Sequence, residues 1–183
     1  MPKKSLTKKA ATQFINDNRA NGKTDQEIYA ELAQQYYDKK AIALLITSIS
    51  TKDDKAKYKV YNYILLGLLV LTALLKVLAV QVMSLQEGQL WALLLVFIVP
   101  ILNIYFIYEI SRYNAPAYRL CGIMSILGIT QSLSNIQNPT DFFLTLVLCG
   151  AISGLSFYID SVMFPNYSPR NLKKDSNGDY IMS

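Results

Sequence analysis

The sequence predicts an all-α integral membrane protein with four transmembrane helices and an N-terminal cytoplasmic helical head. Three observations predict this class. Hydrophobic residues form 52% of the 183-residue chain, and between residues 60 and 163 they are concentrated in runs long enough to cross about 30 Å of hydrocarbon as helices. The flanking segments are polar. The basic residues outside the apolar runs fall on one predicted side of a membrane.

The predicted organisation has three parts. Residues 1–59 form a cytoplasmic three-helix head and a basic juxtamembrane segment, and residues 164–183 form a polar cytoplasmic tail. Between them, residues 60–163 form a four-helix transmembrane bundle. Its spans are predicted at about 60–82, 90–110, 118–136 and 142–160, from apolar length alone.

The distribution of Lys and Arg predicts the orientation. Of 18 basic residues, 12 precede residue 60, two lie near the connection of spans two and three, and three lie in the tail. Positive charge is retained on the cytoplasmic side, so we expect a multi-pass protein of the plasma (inner) membrane with both termini in the cytoplasm. No apolar segment follows the charges of Met1–Leu6, so we expect the first span to serve as the targeting signal.

Three short helices are predicted in the head. The first, about Leu6 to Ala20, ends at Gly22, because glycine accepts a left-handed C-cap conformation. Thr24 and Glu27 have the spacing of a capping box that opens the second helix. The third helix covers about 40–50. Thr51 is then expected to cap a further helix that continues into span one without a break.

The head also raises the question of a nucleic-acid partner. The segment 22–28 looks like the beginning of a helix-turn-helix, but a recognition helix needs polar side chains for base edges and phosphates. The next helix offers Ala41–Ile46, which is almost wholly apolar. We therefore predict no nucleic-acid partner. Fifty residues bury little core alone, so homo-oligomerisation is expected, and residues 1–50 are the candidate surface for a cytoplasmic protein partner.

Composition argues against an enzyme. The chain has no His, which removes the commonest general base and metal ligand. Cys121 and Cys149 are predicted at different depths, so they suit neither a disulfide nor a metal site. No glycine-rich phosphate loop is present. We predict no catalytic residue, no cofactor site and no metal site.

Polar residues within spans one and two are candidates for a site. Pro100 interrupts span two and predicts a kink or hinge. Asn103 follows at membrane depth, where it either bonds backbone carbonyls or a neighbouring helix, or lines a cavity. Lys76 is the one charge inside a span. It either snorkels to the outer headgroups or faces a polar cluster within the bundle.

Span three carries a stripe of small and polar residues along one helix face. Its members are Cys121, Ser125, Gly128, Ser132 and Asn135, and Gln131 lies beside it. Such a stripe either packs closely on another helix or faces water. Span four offers a small surface of its own at Gly150, Ser153 and Gly154. The stripe and this surface are therefore predicted to form an antiparallel contact.

Two sets of residues follow as site predictions. The candidates for a pore or polar cluster are Lys76, Asn103, Ser125, Gln131, Ser132 and Thr145. The candidates for ion pairs at the cytoplasmic border, expected to fix the helix ends, are Glu109, Arg112, Arg119 and Asp160.

Two functions from different classes fit these features. The first is a homo-oligomeric channel or membrane-permeabilising effector that the cytoplasmic head controls. The alternative is a non-catalytic membrane anchor or scaffold that recruits a cytoplasmic partner. A small transporter is the weaker third option, because the two halves of the bundle do not resemble each other as a duplicated carrier would.

Overall fold

The structure is a computed structural model, and it describes residues 8–36, 38–87, 100–133, 139–167, 172, 174–176 and 178–181. Within these ranges the protein is all-helical and has no β-strand, which confirms the predicted all-α class. The described part contains seven helices: α1 Lys8–Ala20, α2 Asp25–Gln35, α3 Lys39–Ser48, α4 Lys52–Glu87, α5 Ile101–Ser111, α6 Ala115–Leu133 and α7 Pro139–Met163.

The chain forms two compact units. The head unit comprises Met1–Ser50 with Phe164–Ser183, and the bundle unit comprises Thr51–Met163. The C-terminal segment, which the sequence presents only as a polar tail, thus belongs to the same unit as the first fifty residues.

The head helices begin and end at the expected signals. Gly22 has φ +81°, the left-handed conformation that terminates α1. The Thr24 hydroxyl accepts a hydrogen bond from the backbone amide of Glu27. In return, the Glu27 carboxylate accepts a hydrogen bond from the backbone amide of Thr24 at 2.8 Å. This is the predicted capping box. The backbone hydrogen bond from Thr24 lowers the pKa of the exposed Glu27 carboxyl.

An apolar core holds the head unit together. Its fully or nearly buried members come from all three helices and from the C-terminal segment: Ile15, Ile28, Tyr29, Leu32, Ile42, Ala43, Ile46 and Tyr180. Burying these side chains is the main favourable term for a unit of this size. The apolar residues of α3 therefore serve this core.

The C-terminal segment completes that core. A turn with Gly178 at φ +81° brings Tyr180 back towards α2, and its ring packs edge-on against Tyr29 with the centroids 6.3 Å apart. Asp179 accepts a hydrogen bond from Lys39 Nζ at 2.6 Å, which raises the pKa of Lys39. Burial raises the pKa of Tyr29.

Helix α4 is continuous, as the sequence predicts. The Thr51 hydroxyl accepts the amide of Asp54 at 3.1 Å and caps its first turn. The helix then runs for 36 residues, a length of about 54 Å at 1.5 Å per residue. The predicted end of span one at about residue 82 is too early, because the helix extends through Glu87.

The other bundle helices differ from the predicted spans at their ends. Helix α6 begins at Ala115 instead of 118, and its last described residue is Leu133. Helix α7 begins at Pro139 instead of 142 and ends at Met163 instead of 160. Proline is favoured in the first turn of a helix because its missing amide proton has no partner there. Residues 90–99 of predicted span two lie outside the described residues.

Two helical segments are long and apolar enough to cross a membrane: Lys52–Val82 and Phe142–Met163. By length and composition alone this is weak evidence, because a core helix of a soluble protein meets the same criteria. Four crossings are not confirmed. Ile101–Ser111 is apolar but too short, and α6 is not among the candidates in the described residues.

Candidate functional site: a polar cavity in the bundle unit

The bundle unit contains a cavity of about 670 Å³ between α4, α5, α6 and α7. All six residues predicted for a pore or polar cluster lie on its wall: Lys76, Asn103, Ser125, Gln131, Ser132 and Thr145. Their sequence positions are up to 69 residues apart, yet the fold brings them to one space. The cavity is therefore the candidate site.

The spacing of residues along each helix explains why they meet. Positions three or four residues apart lie on the same helix face. On α4 this face presents Leu69, Thr72 and Lys76, and on α7 it presents Thr145, Cys149 and Ile152. On α6 four members of the predicted stripe line the cavity: Cys121, Ser125, Gly128 and Ser132. Asn135 lies outside the described residues.

Asn103 is the centre of the polar network in this cavity. It is 5% exposed. Its Nδ2 donates to the Leu69 carbonyl at 3.2 Å and to Thr72 Oγ1 at 2.8 Å. Thr72 in turn donates to the same carbonyl at 2.9 Å. The amide thus joins α5 to α4, which is the contact with a neighbouring helix that was one predicted role for this residue.

Lys76 takes part in the same network. Its Nζ donates to Asn103 Oδ1 at 2.9 Å, across 27 residues of sequence. Of the two predicted roles for Lys76, this hydrogen bond corresponds to the inward-facing one. Thr72, which links Lys76 and Asn103 through the network, was not singled out from the sequence. Its position one turn before Lys76 was the signal that could have found it.

Pro100 lies immediately before α5 in a right-handed helical conformation. Its carbonyl accepts the amide of Ile104 at 2.9 Å, so the first turn of α5 is hydrogen-bonded from Pro100 onward. The residues that precede it lie outside the described residues, so the predicted hinge stays a prediction. The structure does place Asn103 three residues after Pro100, in the first turn of α5.

Helices α6 and α7 pack as an antiparallel pair, but not through all of the predicted glycines. A Cβ at Gly128 would lie 3.4 Å from Cys149 Sγ, so this glycine is at the contact. Ser153 donates to the Gly122 carbonyl at 3.2 Å and is also at the contact. Around Gly150 and Gly154 nothing lies within 4 Å of such a Cβ, so the structure does not bring these two to α6.

Gly122 is the tightest position in this pair and was missed from the sequence. A Cβ there would lie 2.9 Å from the Phe157 ring, closer than real Cβ contacts allow. Gly122 is adjacent to the stripe of small residues but not in it. The stripe therefore predicted the right helix and includes one contact residue, Gly128, but the closest approach lies beside the stripe, at Gly122.

The four predicted border residues do not form one network. Arg119 binds Asp160 through Nε at 3.0 Å and Nη2 at 2.8 Å, and the carboxylate is nearly buried. Glu109 instead accepts a hydrogen bond from the side chain of Asn114. Arg112 donates to the Tyr108 hydroxyl at 2.6 Å. Only Arg119 and Asp160 are brought together as an ion pair.

A second buried polar contact lies in the bundle unit and was not predicted. The Tyr118 hydroxyl donates a hydrogen bond to Asn62 Oδ1 at 2.7 Å. The Ile110 carbonyl oxygen lies 3.2 Å from the Tyr118 hydroxyl oxygen. Both side chains are essentially buried. This contact joins α4, α5 and α6, as Asn103 joins α4 and α5.

The wall of the cavity is partly polar. Its polar groups are hydroxyls, two amides and one ammonium group, and its described wall contains no carboxylate. The described residues contain no cluster of His, Cys, Asp and Glu that could hold a metal ion. No protein-family model matches the chain, and comparison with curated proteins and with solved structures finds no match.

Proposed function

We propose that the protein is an integral membrane protein whose bundle unit crosses the bilayer four times, with both termini in the cytoplasm. The argument begins with what the bundle unit exposes. Among the described residues, every large apolar side chain that is exposed lies in this unit, with the exception of Ile181. Of the most apolar windows of α4 and α7, only 17% and 22% is buried. A core helix of a soluble protein would be mostly buried.

The interior of the bundle unit supports the same proposal. Among its described residues, the buried polar or charged side chains are Asn62, Asn103, Ser153, Ser156 and Asp160. An apolar surface around a partly polar interior is the arrangement that hydrocarbon favours, because lipid chains solvate apolar groups and polar groups need partners inside the protein. The distribution of basic residues supports the cytoplasmic location of both termini.

We further propose that the bundle is a homo-oligomeric channel controlled by the cytoplasmic head. The single observation that carries this proposal is the cavity of about 670 Å³, which Lys76 and six residues with hydroxyl or amide side chains line on helices with apolar outer surfaces. An anchor needs no such cavity, because burying polar groups at membrane depth is costly. Four helices seldom enclose a continuous pore, so the path requires association of several copies.

Ion flux through purified protein in liposomes tests the channel. Wild-type vesicles should leak ions faster than empty vesicles, and Lys76→Met should change the rate. A substitution on the outer surface of α6, Ile126→Val, is the matched control and should leave the rate unchanged. If vesicles with wild-type protein are no leakier than empty vesicles at every voltage and pH, the proposal of a channel is wrong.

Water access to α6 gives an independent test. In a chain whose two native cysteines are replaced, single cysteines at positions 125, 128 and 132 should react with a charged, membrane-impermeant thiol reagent. Cysteines at 126 and 133, on the exposed apolar face, should be protected by lipid. The opposite pattern would contradict a water-filled path along this helix.

A scaffold that recruits a cytoplasmic partner is the second candidate, and one observation favours it. The head unit has its own apolar core, which the C-terminal segment completes through Tyr180. A unit of this kind can present a fixed surface to a partner. Replacing the bundle unit with an unrelated four-span anchor separates the two functions: a scaffold keeps its activity, whereas a channel loses it.

A further inference from the structure

The described wall of the polar cavity carries one positive charge and no negative charge. Lys76 is the only ionised group among the described residues of its wall, and its hydrogen-bond acceptor, Asn103 Oδ1, is neutral. The ion pairs of the described bundle residues involve Arg119 and Asp160, not Lys76. An ammonium group at membrane depth attracts anions, so a bound anion would lower the free energy of the site.

The network fixes where that charge points. Asn103 uses both protons of its Nδ2 on α4, one for the Leu69 carbonyl and one for Thr72. Its carbonyl oxygen is thereby turned towards Lys76 and holds the ammonium group at the cavity. One acceptor occupies one of the three protons of the ammonium group, so two protons remain available for a ligand.

The rest of the wall suits the same ligand. Hydroxyl groups of Ser125 and Thr145 and the amide of Gln131 line the cavity with Lys76. Hydroxyl and amide groups can donate hydrogen bonds to an anion, and no carboxylate in the described wall would repel it. A cation would meet the positive charge of Lys76, with no compensating carboxylate among the described residues of the wall.

We propose that the cavity binds a small inorganic anion beside Lys76, and that the proposed channel is consequently selective for anions. The second clause rests on the proposed function, whereas the binding site does not require ion flow. The cavity is far larger than a halide ion, so the anion is expected to keep part of its hydration shell. Lys76 supplies the charge, and Asn103 is a positioning residue that acts through Lys76.

Chloride binding to the detergent-solubilised full chain tests the site. Exchange between free and bound chloride broadens the ³⁵Cl resonance, and iodide should reverse this broadening by competition. We expect Lys76→Met to weaken binding at least tenfold and Lys76→Arg to retain it. Lys57→Met is the matched control: it removes one Lys of the same helix that lies outside the cavity, next to the Tyr58 ring.

The outcomes separate the anion site from the channel. The proposal of an anion site is overturned if the ³⁵Cl broadening is absent with wild-type protein. It is also overturned if the broadening is unchanged with Lys76→Met. If Lys76→Met fails to fold, the competition series on wild type still decides, because a specific site saturates whereas broadening by surface lysines does not. Saturable binding without flux in liposomes contradicts the channel and leaves the site intact. Flux that favours cations contradicts the proposed selectivity.

Discussion

The head unit and the bundle unit both bury apolar side chains, but they expose different kinds of residue. In the head, Ile15, Ile28 and Ile42 are fully buried, while charged side chains such as Lys40 and Glu27 are exposed. In the bundle, Leu71 and Val147 are exposed, whereas Asn62 and Asn103 are buried. The same chain thus follows two burial rules. The simplest physical account is that the two units have different solvents, water for the head and hydrocarbon for the bundle.

An arginine on the outer surface of α4 should have the largest effect, because it challenges this difference directly. Leu71 is exposed near the middle of the predicted span, so Leu71→Arg should cost about 3 kcal/mol if lipid surrounds it. Gln34→Arg, at an exposed position of the head, should change stability by less than about 0.5 kcal/mol.

The yield of protein in the membrane fraction and the thermal midpoint in lipid nanodiscs would measure both variants. If Leu71→Arg is tolerated as well as Gln34→Arg, then the exposed face of α4 is solvated by water, and the two-solvent account is wrong.

Breaking the one ion pair of the bundle border should have the next largest effect. Arg119→Gln leaves the nearly buried Asp160 carboxylate without its cation, which costs several kcal/mol in a fully buried pair. The Arg119 side chain is 36% exposed, so screening reduces the expected loss to about 2 kcal/mol.

Arg112→Gln is the control, since Arg112 contacts an exposed Tyr108 side chain instead of a buried charge. Thermal unfolding in detergent should rank Arg119→Gln well below Arg112→Gln. Adding Asp160→Asn to Arg119→Gln should recover part of the loss. Equal midpoints for the two single variants would show that Asp160 is not held by Arg119.

Packing within the bundle predicts that replacing a glycine at the helix contact destabilises the protein, whereas replacing a glycine in open space does not. The expected effect is smaller than that of breaking the ion pair. Gly122→Ala would force the Phe157 ring to move, and overpacking of this kind costs about 1–2 kcal/mol. Gly154→Ala should have little effect, because the space around it is open. Chemical denaturation in mixed micelles can compare the two. A larger loss for Gly154→Ala would place the helix contact on the other face of α7.

The smallest expected effect concerns the head. Thr24→Ala removes the capping hydroxyl of α2 and should destabilise the first turn by about 1 kcal/mol. Hydrogen exchange of the α2 amides measures this. The pKa of Glu27 is lowered in the folded state. Its carboxylate therefore contributes to the stability of the folded state above the unfolded pKa, which is about 4.3. This contribution is lost as the pH falls through the folded pKa. The variant should keep most of that pH dependence, because the backbone amide of residue 24, its main cause, remains, and should lose only the smaller part that the Thr24 hydroxyl contributes.

Local signals in the sequence predicted local structure well. The capping box at Thr24, the left-handed Gly22 and the uninterrupted α4 each depend on residues within one helical turn of each other, so their physics is contained in a short window. The helix-face spacing of Ser125, Gly128 and Ser132 also predicted which side of α6 lines the cavity, because periodicity determines the face whatever the partner is.

Long-range contacts were harder to predict. Tyr180 packs on Tyr29 across 151 residues, and nothing near Tyr180 distinguishes it from an exposed tail residue. Gly150 and Gly154 have the spacing of a packing motif, but spacing cannot say whether a neighbouring helix covers that face. At the predicted cytoplasmic border, Asn114 donates a hydrogen bond to Glu109, because a tight turn with Tyr113 at φ 55° brings the two side chains together.

Spin-label accessibility tests the central claim, the difference in solvent between the two units, most directly. Nitroxides placed singly at 71, 126 and 147 in the bundle and at 16 and 34 in the head would be compared in lipid vesicles. The account predicts that the three bundle labels collide with oxygen and are shielded from a water-soluble nickel chelate, whereas the two head labels show the reverse. Bundle labels that the nickel chelate reaches as readily as it reaches the head labels would contradict it.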